Sequence, residues 1–201
     1  MATIGLRDVY YALLKEDPIS GSPTYDSPVK IAGAISANVN PNASSSTLFA
    51  DDGPYDTSAT IGEISLELNM ADLSLETQSV LLGHSISDGV LKRKAGDVPP
   101  WVAIGFRTLK SNGKYRYVWL YKGKFVDPED NNETKGDGIN FQTDTITGNF
   151  LKLNYGIKVS NEVRYPWKYE IDAEDEAVKP ATITNWFTSV VMPVADAGGG
   201  G

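Results

Sequence analysis

The chain has 201 residues, with 18 Lys and Arg against 26 Asp and Glu, one His and no Cys, giving a formal charge of −8. The missing cysteines exclude a disulfide framework, Cys-ligated zinc, a thiolate nucleophile and an iron–sulfur cluster, and one histidine excludes any site needing two. The acidic balance speaks against tight nucleic-acid binding, which needs a basic footprint.

At this length a single domain is expected, over residues 1–194, followed by a flexible Gly-rich tail over 195–201. With 41% hydrophobic and 22% charged residues the composition is that of a soluble globular chain. Arg7 and Asp8 interrupt the only stretch that could serve as a signal-peptide h-region. No run of eighteen apolar residues occurs, so no transmembrane helix is expected. Charge is uneven: residues 1–70 hold nine acids and three bases, 71–135 eight and ten, and 136–201 nine and five. Separated acidic and basic surfaces allow copies of one chain to dock despite a large net charge.

In chain order, residues 29–39 alternate strictly, with Val29, Ile31, Gly33, Ile35, Ala37 and Val39 on one face, which predicts one half-buried strand. Residues 38–58 are polar and rich in Ser, Pro and Asp, yet carry apolar beads at Leu48, Phe49 and Tyr55. They read as a long loop that docks on something. Residues 61–69 form a strand with Ile64, Leu66 and Leu68 inward and Glu63, Ser65, Glu67 and Asn69 outward. Ser74 as N-cap and Gly83 as C′ residue bracket a short helix over 75–82. A second long loop, 88–100, carries Lys92, Arg93 and Lys94. Residues 101–110 and 114–126 flank Asn112-Gly113, a strong hairpin signal. Residues 127–137 are a charged loop, and 150–159 form a strand with Leu151, Leu153, Tyr155, Ile157 and Val159 on one face. A short second helix follows Pro180. These elements predict a mainly β protein: a β-sandwich or small barrel with one short flanking helix and long assembly loops.

Chemistry is sparse. His84 follows the helix-ending glycine without a nucleophile turn, and reads as a dipole or solvated residue. The calcium-loop lookalike from Asp127 fails at Asn132, where glycine is required, and at Gly138, where a bidentate Glu is required. The run Glu170, Asp172, Glu174, Asp175 and Glu176 reads as a solvated acidic turn able at most to hold a hard cation weakly. Tyr115, Tyr117, Trp119 and Tyr121 share one face of a strand, as core, as interface or as a stacking platform for sugars or bases. No catalytic residue, metal ligand set or cofactor motif stands out, and a structural or binding role is expected.

Several segments in order resemble the major tail protein of long-tailed, siphovirus-type bacteriophages, the subunit of the tail tube. They are residues 5–12 (GLRDVYYA), 47–55 (TLFADDGPY), the helix end Leu81-Leu82-Gly83, 117–125 (YVWLYKGKF), 141–148 (FQTDTITG) and 186–190 (WFTSV). The resemblance implies a non-enzymatic virion protein with a β-sandwich of tail-tube type, built into stacked hexameric rings that conduct double-stranded DNA during ejection without binding it specifically. The implied partners are other copies of the chain and the tape-measure, tail-terminator and tail-tip proteins, with no membrane. The implied location is the virion tail, after assembly in the host cytoplasm. On this reading Leu48, Phe49, Asp51, Asp52 and Tyr55 contact a neighbouring subunit or ring, and Glu63 and Glu67 line the bore. The alternative is a carbohydrate-binding module that uses the strip Tyr115, Tyr117, Trp119 and Tyr121.

Overall fold

In the computed structural model the described residues are 2–50, 52–128, 143–159 and 162–193. The elements run β1 (Thr3–Glu16), β2 (Thr24–Tyr25), β3 (Val29–Ile31), β4 (Ala34–Asn40), β5 (Ala43–Ala50), β6 (Gly53–Ile61), β7 (Ile64–Met70), α1 (Leu75–Leu82), β8 (Ser85–Ser87) and β9 (Val90–Lys92). They continue with β10 (Val102–Lys110), β11 (Tyr115–Phe125), β12 (Asp144–Leu151), β13 (Ile157–Val159), β14 (Glu162–Arg164), β15 (Lys168–Asp172) and α2 (Pro180–Thr184).

Nine strands form one antiparallel sheet along the path β2-β1-β10-β11-β12-β7-β4, with β3 also paired to β1 and β15 to β11. Three further pairs, β5–β6, β8–β9 and β13–β14, stand as separate two-stranded ribbons. The expected sandwich or small barrel is therefore wrong: the sheet is open. It curls until β1 lies near β4, but among the described residues no ladder joins the two ends. No second sheet is needed to cover it, because α1 and the segment around 186–192 supply the apolar cover instead.

The curl wraps a main core of Val9 and Tyr11 from β1, Ile104 and Phe106 from β10, Leu66 and Leu68 from β7, and Leu81 and Leu82 from α1. Ser74 caps that helix by accepting from the Thr77 N–H, and Gly83 ends it at φ 74°. The opposite face of β10 and β11 carries a second core of Ala103, Tyr117, Trp119 and Tyr121, packed under Trp186. Gly105 makes room for it, since a Cβ there would lie 2.7 Å from the Trp119 ring. Past Tyr121 a bulge in the β10–β11 register flips the alternation, so that Phe125 points into the main core and meets Phe150 edge-on at 6.1 Å.

The predicted hairpin is present, joining β10 to β11, with Gly113 alone left-handed at φ 80° and its N–H donating to the Lys110 carbonyl. That is a type I turn closed by an αL glycine rather than the two positive φ values that Asn-Gly signals. Two strand readings fail. Residues 29–39 are not one strand: left-handed Gly33 breaks them, sending β3 to β1 and β4 to β7. A bulge between Ala34 and Ser36 then leaves Ile35 exposed and turns Ala37 and Val39 inward. Residues 150–159 are not one strand either. β12 ends at Leu151 with Ile146, Gly148 and Phe150 facing the core, which puts Leu151 outside.

Candidate assembly site

The expected long loop 38–58 is instead largely paired as β-strand. The chain continues from β4 into β5, turns, and returns through β6 into β7, so the stretch is a ribbon paired from Ala43↔Ile61 to Ala50↔Gly53. Among the described residues β5 and β6 pair only with each other. At about 3.3 Å per residue, the eight residues of β5 project about 26 Å beyond the sheet. We call this ribbon the arm. Its base is fixed: the Asn42 side chain donates to the Glu63 carbonyl at 2.6 Å and the Gly62 N–H donates to the Asn42 carbonyl. Hydroxyl pairs cross it at Ser44–Thr60 (3.1 Å) and Thr47–Thr57 (3.2 Å). Asp52 turns the tip at φ 62°, a conformation that Asp tolerates.

Both faces of the arm are open to solvent, and it carries its largest side chains near the tip. Leu48 is 60% exposed, Phe49 70% and Tyr55 75%. An isolated two-stranded ribbon is at best marginally stable in water, and this one has no core of its own. A partner that covers it would bury apolar surface and fix its register at once. Leu48, Phe49, Asp52 and Tyr55 of the expected contact set thus share one tip; Asp51 lies outside the described residues. No Lys or Arg occurs between Lys30 and Lys92, so the arm has no cation of its own.

Glu63 and Glu67 are not on one strand. Glu63 falls in the two-residue break between β6 and β7, while Glu67 sits on the exposed face of β7. Around Glu67 the registers set out rows of Thr145–Asn69–Ser36, Thr147–Glu67–Asn38 and Asn149–Ser65–Asn40. Asn69 donates to Thr143 and Thr145 at 3.1 and 2.9 Å. This face of β12, β7 and β4 is built from hydroxyls and amides, and none of the three strands contains a cation.

The aromatic strip is not a platform. Tyr117, Trp119 and Tyr121 are buried; Trp186 lies edge-on to Tyr117 at 5.9 Å and Phe187 edge-on to Trp119 at 6.1 Å. The Trp119 indole N–H donates to the Trp186 carbonyl (3.1 Å) and the Tyr121 hydroxyl to the Val191 carbonyl (2.8 Å). Burial pushes the Tyr121 phenol far up. Tyr115 remains half-exposed beneath the Arg107 guanidinium, 4.2 Å from its ring centroid. The sugar-binding reading has no surface to stand on.

The acidic run also has a job the sequence hides. Asp172 and Glu174 grip the buried Lys110 ammonium, whose hydrogen bonds hold both carboxyls below the usual range. Arg116 also reaches Asp172, at 3.4 Å. Asp8, left-handed at φ 51° in a bulge of β1, binds Lys30 and accepts from Arg107 at 2.7 Å. Among the described residues no group of three or more His, Cys, Asp or Glu is placed to hold a metal, and no helix is long and apolar enough to cross a membrane.

His84 departs most from its reading as a solvated residue. Its side chain is buried, with Nδ1 2.8 Å from Asp97 and Nε2 2.8 Å from Asp127, so both nitrogens face carboxylates. Only the imidazolium can donate to both. Burial alone would lower its pKa; the bonds to Asp127 and Asp97 outweigh it and raise the pKa above the ordinary histidine value. The bond from His84 in turn holds Asp97 below the usual carboxylate range, helped by the Lys94 N–H. The raised His84 pKa gives stability that is complete below the unfolded value, about 6.5, and is lost as pH rises through the folded one. The lowered Asp97 pKa acts from the other side, giving stability that is lost as pH falls below the ordinary carboxylate range. Thermal denaturation is expected to show the melting temperature falling from pH 6 to pH 9, and His84→Gln is expected to flatten that slope. An unchanged slope in the variant contradicts the clamp.

No protein-family model matches this sequence, and no curated protein does. Among solved structures, a chain in the cryo-EM structure of the anti-feeding prophage (AFP) baseplate, six-fold symmetrised, matches 85% of this chain and 96% of its own length. The identity is 13% and the TM-score 0.39. An overlap that loose leaves the functional reading to the surfaces described above.

Proposed function

We propose that this chain is a structural virion protein of a phage tail. In this reading it self-assembles into hexameric rings that stack into a tube conducting double-stranded DNA, alongside tape-measure, tail-terminator and tail-tip proteins. The observation that carries the proposal is the arm, a projecting ribbon with apolar residues at its tip and no partner within the described chain. A monomer gains nothing from such an element; a polymer of identical subunits uses it as a joint, because head-to-tail contacts need two different complementary patches on each copy. Sedimentation at rising protein concentration tests this: a step to a ring-sized species is expected, and one slow boundary at every concentration would refute self-assembly.

The cation-free face of β12, β7 and β4 suits the bore. A wall that neutralises phosphates gains affinity through counterion release, and repeated contacts of that kind would stall a passing duplex. Hydroxyls and amides around a single carboxylate avoid it. Glu63→Lys with Glu67→Lys is expected to leave assembly intact and slow DNA ejection from particles carrying it. Ejection at the normal rate removes these two residues from the bore.

A further inference from the structure

We propose that the arm tip of one copy docks in the groove at the base of the next copy's arm. The inference rests on the self-assembly reading and names the surface it uses. The groove, of about 520 Å³, lies where the arm leaves the sheet and is lined by Ile61, Leu151, Tyr165 and Trp167 with Lys122 and Lys152. Ile61 and Leu151 are exposed, large apolar side chains left beside a concavity. The Lys152 ammonium stands 5.0 Å above the Tyr165 ring, and Lys122 reaches Asp17 at 2.6 Å.

The tip offers the matching chemistry. Leu48, Phe49 and Tyr55 are its apolar part, and Asp52 and Asp56 its charge. An apolar tip with carboxylates and no cation fits an apolar groove that carries the Lys152 ammonium at its wall, Lys122 being already paired with Asp17. The tip cannot serve its own groove. Phe49 pairs with Pro54 at one end of the ribbon and Ile61 with Ala43 at the other, a separation of about 20 Å at about 3.3 Å per residue. Occupancy therefore comes from a second copy. Because tip and groove are different patches, the contact is head-to-tail and propagates into rings or filaments.

The chain has no native cysteine, which makes cross-linking clean. Thr47→Cys sits on the exposed arm beside the apolar tip and Leu151→Cys on the exposed groove wall, so neither disturbs the core. The doubly substituted protein is concentrated to assembly and treated with a short bismaleimide, with Thr47→Cys/Ser87→Cys as the control. A ladder of covalent multimers from the first pair and not from the control is the expected result. A faster-migrating monomer puts the arm in its own groove, and bands that stop at the dimer make the exchange reciprocal; either overturns the head-to-tail contact. Assemblies in which Thr47→Cys fails to link to Leu151→Cys overturn the groove and leave self-assembly standing. Wild-type protein that never leaves the monomeric state removes both.

Discussion

Deleting residues 47–55, with the shortened arm closed by an Asn-Gly turn, leaves a folded monomer that no longer assembles. The sheet does not depend on the arm: β5 and β6 pair only with each other among the described residues, and the bonds that anchor the base, Asn42 to Glu63 and Gly62 to Asn42, lie outside the deletion. The unfolding free energy is therefore expected to change by no more than about 1 kcal/mol, as for changes outside the core. The contact between copies loses its anchors. Full burial of Leu and Phe side chains contributes roughly 1.5–3 kcal/mol each, so Leu48 and Phe49 together supply roughly 3–6 kcal/mol per joint. At about 1.4 kcal/mol per factor of ten, the concentration needed for assembly rises at least a hundredfold. Denaturant unfolding and sedimentation on the same samples check both halves. Assembly at the wild-type concentration would remove the arm from the joint.

Trp186→Ala has the largest effect on folding itself. Trp186 is fully buried, stacked on Tyr169 at 5.7 Å and edge-on to Tyr117 at 5.9 Å. Truncating a buried Trp costs about 3–5 kcal/mol through lost transfer energy and the cavity left behind. That is a large share of the 5–15 kcal/mol typical of a domain. It also uncovers Trp119 and Tyr121, the aromatic strip that the segment around 186–192 exists to cover. Trp186→Phe is expected to cost far less than half as much. It keeps most of the volume and removes the Trp186 indole N–H, buried without a hydrogen-bond partner among the described residues, whose desolvation is a standing penalty of about 1–3 kcal/mol. The urea midpoints of the two variants check the order; equal losses would mean that ring volume does not govern this face.

Where local pattern determines structure, the sequence was sufficient. The alternation of Ile64, Leu66 and Leu68, the Ser74 and Gly83 caps, and Asn112-Gly113 between two apolar runs each placed an element correctly, because the forces involved act over a few residues. Reading failed where a local break or a distant partner decides. Gly33 sits in an alternating run and looks like one more small residue, yet its positive φ sends the chain across the sheet. The arm looks like a loop because a ribbon exposed on both faces has no apolar side to alternate. The aromatic strip read first as core or interface yet left a ligand platform open, since its cover arrives 67 residues later in the chain. His84 looked solvated because its two carboxylates lie 13 and 43 residues away. The expected sandwich failed for the same reason as the strip: which layer covers a sheet is set by long-range packing.

The most direct test of the account is negative-stain microscopy of the concentrated wild-type chain beside the arm deletion. Rings or tubes from the wild type, and isolated subunits from the deletion, are the predicted result. Isolated subunits from both would contradict it.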